Sequence, residues 1–174
     1  MTFRDATLAD GDAIAELHTA SWRRFYRGIL PDVYLDGPVP EERRRVWTDR
    51  LSNTRQDRQR VHIALDGSIP VGFTCVLADE EPEPGILLDN LHVLESHQGL
   101  GIGRQLFRKS VHWANQLEPG RPMHLWVFEA NRQAMQFYNA LRGKMVDRQL
   151  KRIAGVDVPS VCYVWEDLGK MVVD

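Results

Sequence analysis

The chain has 174 residues, with 22 Lys and Arg against 24 Asp and Glu, and only two cysteines. This length suits a single domain over 1–174 with a core that needs neither disulfides nor metal. The slight negative charge excludes a general nucleic-acid binder, and no apolar run reaches bilayer length or forms a signal-peptide core, so a soluble cytoplasmic protein with no membrane contact is expected.

Thr2 to Ala6 reads as a first strand. Thr7 and Asp10 have capping-box spacing before a helix whose apolar stripe is Leu8, Ile14, Leu17 and His18. Gly28 and Pro31 interrupt the segment after that stripe, giving two short helices with an elbow. Trp22 and Phe25 are assigned to the core, while Tyr26 is a candidate pocket residue. Pro40 to Leu51 begins with Pro and two acids and continues as a charged helix. The arginines at Arg43 to Arg45 and Arg55 to Arg60 are interspersed with acids and glutamines, which fits a solvated helix face and its exit loop.

Val61 to Leu65 and Pro70 to Leu77 flank Asp66-Gly67 and form a hairpin. The acidic, proline-broken stretch 79–85 is a solvated loop. Cys75 and Cys162 lie in strand-like runs and read as buried, reduced thiols. Met123 to Phe128 is a buried strand. Ala130 to Leu141 is a helix with Ala134, Phe137, Tyr138 and Leu141 on one face. Two last strands, Met145 to Ile153 and Pro159 to Trp165, are joined through Gly155.

The organising stretch is Leu87 to Leu117. A strand-like run ends at Ser96, glycines occupy 99, 101 and 103, and an amphipathic helix begins at once. Glycines let the backbone turn and approach a ligand closely, and the free N–H groups of a new helix point at negative charge. A phosphate-bearing ligand is implied. A P-loop needs Gly-Lys followed by Ser or Thr, which is lacking, and the GxGxG spacing and mid-chain position do not fit a dinucleotide fingerprint. A kinase glycine loop would need a catalytic Asp loop that the chain lacks.

The fuller pattern, LHVLESHQGLGIGRQLF followed one strand later by LWVFEANRQAMQFYNALRG, resembles the GCN5-related N-acetyltransferases. That family's loop signature, Gln/Arg-x-x-Gly-x-Gly/Ala, is matched by Gln98, Gly101 and Gly103. Its second block, Asn-x-x-Ala-x-x-Phe-Tyr, is matched by Asn131, Ala134, Phe137 and Tyr138. The resemblance is strong over 86–143 and looser over 2–167. It implies an α/β fold: a mixed, mostly antiparallel sheet of six to seven strands, helices on both faces, and two central strands splayed apart.

The resemblance also assigns roles. Backbone N–H groups of Gln98, Gly99, Leu100, Gly101, Ile102, Gly103 and Arg104 hold the pyrophosphate of acetyl-CoA. Backbone groups of His92, Val93 and Leu94 bond the pantetheine, with the Val93 N–H facing the thioester carbonyl as oxyanion donor. Asn131 contacts the pantetheine region or caps its helix, and Tyr138 protonates the leaving thiolate. For the base that receives the acceptor's proton, Asp89 lies four residues before Val93 and is taken first. His92 is better tuned in pKa but falls on the opposite face unless a bulge intervenes. The family's carboxylate six positions before the valine is replaced by Leu87. Gly143 is expected to cap the helix that ends at Leu141.

The resulting expectation is an acetyl-CoA-dependent N-acetyltransferase acting on a primary amine, a small molecule in preference to a peptide, by direct attack in a ternary complex. Tyr26 and Asp89 are the acceptor-side candidates. No metal is implied, since the six histidines show no ligand cluster, and a homodimer is compatible with the family. The rival is a chain that binds acyl-CoA as a sensor without turnover.

Overall fold

The computed structural model describes residues 1–52, 57–80 and 83–172. Arg55 of the second arginine group, and Glu81 and Pro82 of the acidic loop, lie outside these. The strands are β1 (Thr2–Asp5), β2 (Gln59–Asp66), β3 (Ile69–Leu77), β4 (Ile86–Val93), β5 (Met123–Phe128), β6 (Lys144–Ile153) and β7 (Val156–Trp165). The helices are α1 (Gly11–Phe25), α2 (Asp32–Asp36), α3 (Val39–Ser52), α4 (Ile102–Leu117), α5 (Arg132–Ala140) and α6 (Leu168–Val172).

The strands form one seven-stranded mixed sheet in the order β1-β2-β3-β4-β5-β7-β6. All neighbours are antiparallel except β4 and β5. On one face α1 and α3 bury Ile14, Leu17 and Trp47 against Ile63, Phe73 and Cys75. On the other, Phe107, Val111 and Ala114 of α4 join Tyr138 and Leu141 against Leu88, Leu125, Tyr163 and Trp165. Both faces of the central strands are therefore covered, which explains why β3 and β5 read as apolar runs without alternation.

Local chemistry sets the ends of the elements. The Asp10 carboxylate accepts from the Thr7 N–H at 2.7 Å and the Thr7 hydroxyl at 2.9 Å, as its spacing suggests. It also takes two bonds from Arg4, and these lower its pKa. Leu8 does not join the α1 stripe: it sits on the short 3-10 turn ahead of the helix and is 59% exposed. The C-terminal end of α5 also differs from expectation. Arg142, not Gly143, takes the left-handed conformation, at φ 62°. Gly143 is needed for another reason: a Cβ there would lie 2.7 Å from Trp165 Cζ2 and 2.9 Å from Tyr163 Cδ1. The short helix α6 has no counterpart among the elements expected from sequence. The two cysteines are free and buried, and burial pushes the Cys75 thiol up to about 12.

Two irregularities open the sheet. β4 and β5 pair only through Ile86 with Met123 and Leu87 with His124, and beyond those pairs they part. At the same level the β3–β4 register shifts: Val76 faces Leu88 and Cys75 faces Asn90, leaving Asp89 as an extra residue. A bulge bends and twists its strand, so β4 turns away from β5 where the bulge sits.

Candidate active site

The parting strands leave a cleft of about 400 Å3 walled by β4, β5, the glycine loop, α5 and the C-terminal end of α1. Its cradle is built from the loop. Gly99 and Gly101 have φ of 76° and 80°, a region that other residues enter only at a cost. Gly103 is helical and serves packing, since a Cβ there would lie 3.3 Å from Phe137. The first backbone bond of α4 is Gln105 N–H to Gly101 O at 3.1 Å. The N–H groups from Gly99 to Arg104 thus have no partner among the described residues and stand at the positive end of a 16-residue helix.

Gln98 does something other than expected. Its N–H donates to Glu95 O, its side-chain amide donates to Val93 O at 3.1 Å, and its side-chain oxygen accepts from Gln133 at 2.8 Å. It ties the loop to β4 and α5, and the open cradle begins at Gly99. Asn131 fulfils both readings: its side chain caps α5 by accepting the Ala134 N–H at 3.2 Å, and it lines the cleft.

The backbone of β4 divides by alternation. Leu94 N–H donates to Val71 O at 2.9 Å, which makes that a hydrogen-bonded pair of the antiparallel ladder. The neighbouring Val93–Gly72 pair is then of the other kind, and the Val93 N–H and C=O turn away from β3 toward the cleft. By the same rule Leu91 faces the cleft, whereas His92 bonds back to β3. Leu94 is moreover committed at both ends, its carbonyl accepting from His97 N. Of the three positions expected from sequence to bond the pantetheine, Val93 turns its backbone N–H toward the cleft, its carbonyl being taken by Gln98, and Leu91 is the other β4 residue whose backbone faces that way. The signal was available in principle, as alternation excludes consecutive residues.

The bulge also sets where the two candidate bases lie. Asp89, Asn90 and His92 point to the α1/α3 face, and Val93 packs on the α4 side with Ile102 and Leu106. Asp89 is held by Arg50 of α3, Nη1 to Oδ2 at 2.6 Å, and Arg50 also donates to Asn90 at 3.0 Å. His92 lies in the cleft with Nδ1 2.7 Å from Ser21 Oγ. The Ser21 contact occupies Nδ1, and Nε2 has no partner among the described residues. Burial, partly offset by Asp89, lowers the imidazole to about 4, so it is neutral at physiological pH. Buried His18, which accepts the Trp47 indole N–H at 3.0 Å, packs behind it with ring centroids 4.7 Å apart.

Tyr138 reaches the cleft from α5. Its ring packs near Tyr163 and Trp165, and its hydroxyl makes no hydrogen bond among the described residues. Burial raises its pKa further above neutrality, so the hydroxyl stays protonated. At the α1 end, the Tyr26 ring packs against Phe128 with centroids 4.6 Å apart, and burial reinforced by Asp89 pushes its hydroxyl up to about 12. Phe25 is a correction: it lines the cleft and joins no core cluster, while Trp22 is half-buried against Leu35 and its neighbours.

Among the described residues no group of three or more His, Cys, Asp or Glu is placed to hold a metal, and no helix is long and apolar enough to cross a membrane. A sheet opened between two parallel strands, with an unpartnered N–H cradle at one end, defines an α/β protein that admits a long ligand with its anionic part at the helix terminus. The family model described as "Acetyltransferase (GNAT) family" matches residues 13–143, and the chain belongs to that family.

The chain is 30% identical over 162 residues to a probable N-acetyltransferase of Mycobacterium tuberculosis, covering 92% of this chain and 90% of that protein. It is 32% identical over 177 residues to an N-acetyltransferase of Bacillus subtilis, covering 98% and 96%. Among solved structures, the PaiA N-acetyltransferase of Thermoplasma acidophilum in complex with coenzyme A aligns with a TM-score of 0.72 at 16% identity, over 92% of this chain and 96% of that one. An acetyltransferase of Salmonella typhimurium with acetyl-CoA aligns at 0.69 and 16% identity, over 95% and 93%. The protein is an acetyl-CoA-dependent N-acetyltransferase, and the cradle from Gly99 to Arg104 has the unpartnered donors that an acetyl-CoA pyrophosphate requires.

Proposed function

We propose that the protein acetylates a primary amine of a small molecule by direct attack within a ternary complex, with His92 as proton acceptor, the Val93 N–H as oxyanion donor and Tyr138 as general acid. The observation that carries the reading is that all three border the one cleft onto which the glycine cradle opens. Acetyl-CoA supplies the acetyl group as a thioester and departs as the thiol.

An ammonium titrates near 10.4, so the acceptor must shed a proton as its nitrogen commits its lone pair. His92 is favoured over Asp89 for this task because its Nε2 is unpartnered, whereas the Asp89 carboxylate is engaged by Arg50. Asp89 and Tyr26 then contribute to the acceptor end, the carboxylate holding negative charge toward an ammonium and Tyr26 forming a wall with Phe128. That wall spans the α1–α2 segment and β5, a closure suited to a compact amine rather than an extended peptide. The Val93 N–H, turned into the cleft, holds charge developing on the thioester oxygen. Tyr138 remains protonated throughout the neutral range and returns a proton to the sulfur.

The test is an acetyl-CoA consumption screen over polyamines, aminoglycosides, amino acids and peptides. Turnover with a small amine and little with peptides supports the reading. Preference for peptides overturns the substrate class. Tight acetyl-CoA binding without consumption across the panel would support the sensor reading instead.

A further inference from the structure

Helix α1 buries Ile14, Leu17, His18 and Ser21 at the spacing that places residues on one helix face. Ser21 is 5% exposed, and a hydroxyl so placed needs a partner. A helical serine commonly finds one on the carbonyl a turn back, as Ser110 of α4 does with Leu106 O at 3.2 Å. Ser21 makes no such bond among the described residues. Its Oγ lies 2.7 Å from His92 Nδ1 instead, joining α1 to β4.

The other contacts of the His92 ring do not distinguish one of its edges from the other. Phe73 packs on it with centroids 5.3 Å apart and planes at 33°, and His18 at 4.7 Å and 39°. These neighbours set the plane of the ring. A half-turn about χ2 keeps that plane while exchanging Nδ1 with Cδ2 and Nε2 with Cε1. His18 is itself tied to Trp47, whose indole N–H donates to its Nδ1 at 3.0 Å, and no hydrogen bond joins it to His92 among the described residues. The charged groups that act on the ring, Asp89 of β4 and Arg43 of α3, oppose each other in their effect on its protonation and make no bond to it among the described residues.

We propose that Ser21 is the positioning residue of His92: its hydroxyl accepts the Nδ1–H, which fixes the ring orientation and keeps the lone pair at Nε2. The inference rests on the reading of His92 as proton acceptor. The direction of the bond follows from that reaction. The proton leaves the acceptor nitrogen for Nε2 while Nδ1 keeps its own, so the charged ring has two N–H donors and the hydroxyl can then only accept. A ring that already donates Nδ1–H to Ser21 reaches this state without turning the hydroxyl, so the dipoles are in place before the transfer. Ser21 borders the cleft, where its own hydrogen can meet water.

The experiment has a spectroscopic and a kinetic arm. Burial keeps the ring neutral at pH 7, so the tautomer of His92 in the full chain is read there from its ring nitrogen-15 shifts. Wild type is expected as the Nδ1–H form, and Ser21→Ala is expected to lose that single state. An Nε2–H ring in wild type overturns the proposal, and this measurement needs neither a variant nor an acceptor. In the kinetic arm, turnover is measured with acetyl-CoA and whichever amine of the panel above is consumed fastest. Ser21→Ala should lower kcat roughly three- to tenfold, the net contribution of one hydrogen bond, with the KM for acetyl-CoA near wild type. His92→Gln should lower kcat about a hundredfold or more. Adding Ser21→Ala to it should cost nothing further, because the serine acts through the histidine. A similar fall in both backgrounds makes the serine merely structural and overturns the proposal. Loss of turnover in His92→Gln with wild-type kcat in Ser21→Ala removes the positioning role alone. Wild-type kcat in His92→Gln removes the reading of His92 as proton acceptor and this inference with it.

Discussion

Tyr138→Phe separates chemistry from folding with unusual clarity. The ring is 8% exposed and held by Tyr163 and Trp165 at centroid distances of 5.9 and 6.0 Å, contacts that phenylalanine keeps. The hydroxyl makes no hydrogen bond among the described residues, so its removal strands no buried partner. Stability should therefore change by no more than about 0.5 kcal/mol. If the hydroxyl delivers the proton to the leaving sulfur, its loss should lower kcat at least tenfold, or about 1.4 kcal/mol of barrier, within the ordinary range of general acid catalysis. Acetyl-CoA affinity, set largely by the cradle from Gly99 to Arg104, should stay near wild type. The assay is steady-state turnover on any accepted amine, with a melting curve and acetyl-CoA titration in parallel. A kcat within twofold of wild type removes the general-acid role. A fall in melting temperature matching the activity loss would assign the defect to folding.

Acid should weaken the fold through its histidines. His92 sits near 4 when folded against 6.5 as its ordinary value, and burial also depresses His18. Between these values the unfolded chain binds protons that the folded chain refuses, so stability rises with pH from 4 to 6.5 and falls on acidification, His92 alone accounting for roughly 3 kcal/mol. Urea midpoints should drop over that window and drop less in His92→Gln; a flat profile refutes the burial argument. Gly101→Ala should cost about 1 kcal/mol, read as a lower melting temperature if the loop keeps its φ of 80°, or as weaker acetyl-CoA binding if it relaxes. No change in either would show that the left-handed turn is dispensable. At the C-terminal end of α5, Arg142→Gly should stabilise by up to about 1 kcal/mol, and Gly143→Ala should destabilise by about 1–3 kcal/mol by driving a Cβ into Trp165 and Tyr163. Denaturant melts that rank the two variants in reverse would refute the assignment of the cap.

The features legible in the sequence are local. The β2–β3 hairpin announces itself through Asp66-Gly67 between β-rich runs, and α4 through apolar residues at 102, 106, 107, 111 and 114. The cradle is a strand, a glycine loop and a helix contiguous in sequence, so its anion chemistry is legible too. The misses are tertiary. Phe25 has the composition of a core residue and lines the cleft because α1 ends there. Gly143 looks like a helix cap and is instead the only residue that fits beneath two aromatics brought from β7.

The feature least legible in the sequence is one residue wide. With strict alternation along β4, Asp89 and Val93 share a face and His92 opposes them, which makes the carboxylate the natural base. The bulge inserts Asp89 as an extra residue, so Asp89 and His92 come to the same side and Val93 to the other. A second effect arises on the same strand. The hydrogen bond from Leu94 to Val71 sets the phase of the ladder, and that phase turns the Val93 N–H into the opening rather than into β3. Both outcomes depend on how β3 and β4 register against each other, and register is a property of the pair. The residues of β4 alone specify the candidates for proton transfer and charge stabilisation; their pairing with β3 decides on which side of the strand each meets the cleft.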